Sequence, residues 1–159
     1  MKANPIWLFC TLAFTVLVGP SPVGSPPFSL TIESAQRMLH TGSQIELKLT
    51  LTNTSPHEFT IRDTNRWCDY EVEVRDSRGQ LASETAYKRS LKCGFQVTAG
   101  RKIIRTLKPG ESYEDALFVN QLYDLTRPGA YFILVSRDFP KELGAGKVES
   151  NTATLSITN

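Results

Sequence analysis

Side chains able to do chemistry are sparse in this 159-residue chain, and their spacing points to recognition rather than catalysis. His40 and His57 stand apart from each other and from any Cys, so neither has metal-ligand spacing. No Ser sits in a Gly-x-Ser-x-Gly elbow, and neither His has a nucleophile beside it in sequence. No Gly-rich phosphate loop is present. Glu114 and Asp115 form an acidic pair, but neighbours on a strand point to opposite faces and would not converge as acid and base. These residues imply no enzyme, no cofactor and no metal site.

Three other features carry recognition chemistry. Cys68 and Cys93 are an even pair once Cys10 is set aside, and in an exported domain such a pair reads as one disulfide. Closing a loop of about 25 residues would stabilise the fold by roughly 3 kcal/mol. Two free buried thiols are the alternative. Arg66-Trp67-Cys68-Asp69-Tyr70 comes second. Trp67 there is either an exposed anchor for a protein or sugar, or a core residue packed on the bridge. Third, Lys88, Arg89, Lys92, Arg101, Lys102, Arg105 and Lys108 follow one another with no Asp or Glu between them. That run is either an anion-attracting face or the protection of a sheet edge. The expected binding surface therefore comprises Trp67, Tyr70, Arg101, Lys102 and Arg105. Asn53-Thr54-Ser55 formally reads as a glycosylation sequon, followed unfavourably by Pro56.

The elements that position these residues begin after a targeting segment. Lys2 precedes an apolar run over residues 6–18, too short for a comfortable membrane span and of signal-peptide length. Pro20, Pro22, Pro26 and Pro27 crowd the cleavage region, so an uncleaved anchor is the alternative. Residues 1–27 are read as signal peptide or anchor plus a Pro-rich linker, and 28–159 as one domain. Membrane contact would come only through the uncleaved segment. The net charge of +2 gives no reason to expect nucleic acid as a partner. With 40% hydrophobic and 21% charged residues, the chain is too apolar for wholesale disorder.

Period-2 alternation marks the strands. Phe28, Leu30 and Ile32 open the series, and Ile45, Leu47, Leu49 and Leu51 give its clearest member. Tyr70, Val72 and Val74 lead into a hairpin at Asp76-Ser77-Arg78-Gly79. Ala153, Leu155 and Ile157 form the last strand. Residues 34–40 read as an irregular crossing between sheets, and 82–100 lack a clean period. Leu125-Thr126-Arg127-Pro128-Gly129-Ala130-Tyr131 feeds the most apolar run of the domain. Leu125, Pro128, Gly129 and Tyr131 have the spacing of a tyrosine corner, in which the phenol returns to backbone upstream of the turn. About seven to nine short strands, with turn signals about every ten residues and no convincing helix, indicate an all-β Greek-key sandwich.

Leu125-x-x-Pro-Gly-x-Tyr131 resembles the tyrosine-corner segment of fibronectin type III and related immunoglobulin-like domains. The broader order is similar to the intracellular proteinase inhibitor (BsuPI-like) family. It runs from Leu-Thr-Leu-Thr-Asn53 to Asp69-Tyr-Glu-Val-Glu-Val-Arg-Asp-Ser-Arg-Gly79, then Leu107-Lys-Pro-Gly and Pro128-Gly-Ala-Tyr. The closing stretch Ser150-Asn-Thr-Ala-Thr-Leu-Ser-Ile-Thr also resembles that of exported bacterial immunoglobulin-like proteins. The resemblance implies an immunoglobulin-like sandwich and, through that family, proteinase inhibition. The residues themselves lead to an exported, non-enzymatic binding or structural module of the cell envelope, with a protein or an envelope glycan as partner. Proteinase inhibition and glycan binding are the alternatives.

Overall fold

Alternation in the sequence becomes two facing sheets. The computed structural model describes residues 26–93, 103–140 and 146–159. The targeting run at 6–18, Arg101 and Lys102 lie outside these residues. The chain begins with β1 (Phe28–Ser34), β2 (Met38–His40), β3 (Glu46–Asn53) and β4 (Phe59–Asp63). It continues through α1 (Arg66–Asp69), β5 (Glu71–Asp76), α2 (Ala86–Ser90) and β6 (Ile103–Leu107). It closes with β7 (Ser112–Phe118), α3 (Val119–Leu122), β8 (Gly129–Asp138), β9 (Lys147–Glu149) and β10 (Ala153–Thr158).

One sheet has the order β1-β3-β7, and the other β2-β10-β8-β5 with β9 also paired to β8. The connections β3 to β5 and β7 to β8 cross between sheets, giving the immunoglobulin-like Greek-key sandwich. Among the described residues ten strands exceed the expected seven to nine, because β2 and β9, with only 3 residues each, add to the count. The segment expected to cross irregularly does cross, but it also forms β2, which pairs parallel with β10. The three short helices among the described residues were not expected; each is about a single turn, too brief to show a helical period.

Inner-face residues fill one core. Leu47, Leu49 and Leu51 of β3 face Ile133 and Val135 of β8 and Leu155 of β10, all fully buried. Burying each such side chain contributes roughly 1.5–3 kcal/mol. Phe28 closes one end by stacking on Phe139 at 4.4 Å and meeting Phe59 at 5.3 Å. At the other end Leu125 is buried, and the Tyr131 hydroxyl donates to the Arg127 carbonyl at 2.8 Å. Gly129 takes a φ of 152°, which favours glycine in the turn.

The β3–β7 ladder turns a corner and continues as the separate β4–β6 ribbon. Asn53, fully buried at the corner, holds it together. Its Nδ2 donates to the carbonyls of His57 at 2.7 Å and Leu107 at 2.9 Å, while Oδ1 accepts from Ser55. This amide is occupied and inaccessible, so the formal sequon is not a glycan site in the folded domain.

Three sheet edges are blocked by side chains or short bridges. Asn151 hydrogen-bonds both the N–H and the carbonyl of Ile32 on β1, at 2.9 and 3.0 Å. On β7, Arg66 takes the Ala116 carbonyl at 3.0 Å and Asp115 takes the Ala116 N–H at 2.8 Å. On β5, Ala82 N–H and the Tyr123 hydroxyl occupy the carbonyls of Val74 and Val72. Capped edges of this kind resist pairing with a foreign strand.

Candidate functional site

Residues 82–93 leave the regular sandwich and fold back along the free edge of β5. Local capping chemistry builds this excursion. Thr85 Oγ1 accepts from Lys88 N at 3.1 Å, capping α2, and donates to the Gln121 carbonyl at 2.6 Å. Thr85 N–H donates to Leu122 O, and Asp124 N–H to Ser83 O, tying the segment to α3. Across from it, Asn65 caps α1 by accepting from Trp67 N at 3.1 Å. Asp69 accepts from the Thr64 N–H and hydroxyl, fixing the approach to that turn. The Cys68–Cys93 disulfide, with Cα atoms 5.2 Å apart, joins α1 to the end of the excursion.

The two segments enclose a cleft of about 370 Å³. Trp67, Leu91 and the disulfide form its walls, Val72 and Leu122 its floor, and Glu71, Glu84 and Lys88 its polar rim. Trp67 meets Tyr87 of α2 edge to face, with ring centroids 6.0 Å apart and an interplanar angle of 85°. Tyr87 is 43% exposed, an aromatic surface left on the lip.

Lys88 is the fixed cation of this rim. Its Nζ lies 3.1 Å from Glu84, donates to the Tyr123 hydroxyl, and stands 3.9 Å over the Tyr123 ring. Burial would lower the Lys88 pKa, but its hydrogen bonds to Tyr123 and Glu84 outweigh that and hold it above the usual lysine value. The hydrogen bond from Lys147 holds Glu71 below the usual glutamate range. Both groups keep their charge at neutral pH. The rim is therefore suited to charge-matched recognition and poorly suited to shuttling protons.

The other expected surface residues are distributed differently. Tyr70 borders the cleft, but its ring is buried and Arg137 donates to its hydroxyl at 3.3 Å. Trp67 and Tyr70 therefore do not form a coplanar exposed platform; Trp67 is half-buried against the core. Arg105 points away into a polar belt. Its Nε donates to Asp63 at 2.8 Å and its guanidinium covers the Tyr113 ring at 3.9 Å. Lys88 and Arg89 of the basic run lie on α2, whereas Arg105 lies on β6, so the described members do not share one element. Among the described residues no group of three or more His, Cys, Asp and Glu side chains could hold a metal ion.

Glu71, Glu84, Tyr87 and Leu122 were not singled out by sequence reasoning. The useful signal was Thr85 three residues before Lys88, a helix N-cap spacing inside the segment without a clean period.

No family model matches the chain, and no curated protein matches it in sequence. Among solved structures it is similar to the CARDB domain of a Pyrococcus furiosus protein determined by solution NMR. That likeness has 13% identity and a TM-score of 0.43, over 84% of this chain and 95% of that one. A crystal structure of that domain, in complex with di-metal ions, gives 14% identity and a TM-score of 0.44, over 83% and 93% of the two chains. A β-glucosidase from Listeria innocua is similar over 83% of this chain but 16% of its own, at 16% identity and a TM-score of 0.42. At these values the likeness carries no ligand, metal or activity to this chain.

Proposed function

We propose that this chain is an exported, non-enzymatic immunoglobulin-like binding module of the cell envelope that engages a protein partner through the disulfide-stapled cleft. One observation carries the reading. The excursion 82–93 is not needed to complete either sheet, yet a disulfide and its own caps hold it rigidly against α1 with Tyr87 exposed. Rigid elements presenting an aromatic and paired charges are the usual makings of a recognition surface. Lys2 ahead of the apolar run at 6–18 supports export, and the disulfide supports an oxidising compartment.

Capture from native envelope extract tests the reading, using the wild-type domain, Tyr87→Ala and Lys88→Glu. The expected result is a specific partner retained by wild type and by the remote control Thr31→Ala, and lost from both cleft variants while their far-UV spectra stay near-native. Equal capture by all four proteins would sink it. The resemblance to the intracellular proteinase inhibitor family adds a second reading. It is favoured by Lys92, which is exposed, follows Leu91 in extended backbone and precedes the anchored Cys93. A proteinase panel separates the two.

A further inference from the structure

The outer face of the β2-β10-β8-β5 sheet carries a pattern that is complementary to itself. Its side chains alternate with the buried set, so Phe132 and Leu134 of β8 and Glu73 and Arg75 of β5 all point outward. The register pairs Arg75 with Phe132 and Glu73 with Leu134. Phe132 is 41% exposed, a large aromatic at the centre of a sheet face. Charges beside it are already matched: Arg75 lies 2.6 Å from Glu73, and Lys147 lies 2.9 Å from Glu71. Toward β10 the neighbour of Phe132 is Thr154, which is neutral. With every named charge paired, this face offers nothing to steer a polyanion or a strongly charged protein.

We infer that this face binds a second copy of the chain, sheet against sheet, about a two-fold axis perpendicular to the strands. An axis passing between the Arg75–Phe132 and Glu73–Leu134 pairs reverses the strand direction of one copy over the other. Glu73 then meets the partner subunit's Arg75, and Phe132 meets the partner subunit's Leu134. Both contacts occur twice, as a closed two-fold interface requires. Facing sheets pack about 10 Å apart with strands aligned to within about 30°. Strands spaced about 4.8 Å apart and rising about 3.3 Å per residue, over the lengths of β2, β10, β8 and β5, give a face on the order of 400 Å² in projection. That is about half the ~800 Å² per partner of a standard interface, so the dimer is weak and reversible.

Sedimentation velocity on the full chain across a dilution series tests the inference. A monomer–dimer equilibrium is expected. Glu73→Arg and Arg75→Glu should each weaken the dimer about tenfold or more through like-charge contacts, while the double swap restores it. Phe132→Asp should abolish it, and the exposed neighbour substitution Thr154→Glu should weaken it should Phe132→Asp fail to fold. A monomer alone at about 200 µM overturns the inference. So does association that is indifferent to these substitutions, as self-association through the apolar N-terminal run would be, or a double swap that fails to rescue.

Discussion

Asp63 joins two guanidiniums, Arg137 Nη2 at 2.7 Å on Oδ1 and Arg105 Nε at 2.8 Å on Oδ2. Arg137 is only 5% exposed, and it is tolerable there because Asp63, the Arg62 carbonyl and the Tyr70 hydroxyl all receive its N–H groups. Burial pushes the Tyr70 phenol up to about 12, although Arg137 pulls it back. The neutral phenol is thus favoured by folding. Its contribution is complete below the unfolded tyrosine value near 10 and is lost as pH rises through the folded value of about 12. A phenolate absorbance titration should lose its latest-ionising step in Tyr70→Phe, with wild-type stability falling over that alkaline window. The corner phenol makes a separate test. Tyr131→Phe should keep β8 in place and cost about 1 kcal/mol in chemical denaturation, the contribution of one buried-end hydrogen bond. An unchanged midpoint would mean that the bond to Arg127 adds no net stability. Sequence alone does not mark Arg137, because an inward Arg among Tyr131, Ile133 and Val135 looks like the end of a strand. Only its partners, 67 and 74 positions away in the chain, make it internal.

At the scale of elements, legibility follows length and period. β1, β3, β5 and β10 alternate over six to eight residues and were readable from their apolar residues alone. β2 was not, since Leu39 is its one buried residue and its pairing with β10 is made from the far end of the chain. The excursion 82–93 hid its structure because α2 buries no residue fully, leaving no apolar stripe to detect. Its anchoring gives a clear expectation. Cys68→Ser with Cys93→Ser should cost about 3 kcal/mol in unfolding free energy while near-native spectra persist. Persistence follows because the bonds from Thr85 to the Gln121 and Leu122 carbonyls, and from Asp124 N–H to the Ser83 carbonyl, do not depend on the sulfurs. A loss of far-UV signal in the reduced protein would show instead that the sandwich cannot form without the bridge.

Over the whole molecule, the features that specify the fold and those that suggest recognition occupy different ground. The sandwich rests on the alternating runs and the turn at 125–131, whose chemistry is local and therefore visible in sequence. The cleft rests on meetings between α1, α2 and α3, separated by tens of residues, and no local pattern announces them. That is why Trp67 and the two cysteines were visible as candidates while Glu71, Glu84 and Tyr87 were not.

The parallel pairing of β2 with β10 has a mechanical consequence. Met38, Leu39 and His40 lie alongside Ser156, Ile157 and Thr158, running the same way. Tension entering upstream of Met38 and leaving beyond Thr158 pulls these strands past one another along their length. The contacts are then loaded together, like a lap joint, instead of parting one after another like a zip. A domain pulled from both sides would hold at this short patch once β1 is drawn off β3, and would then release it all at once.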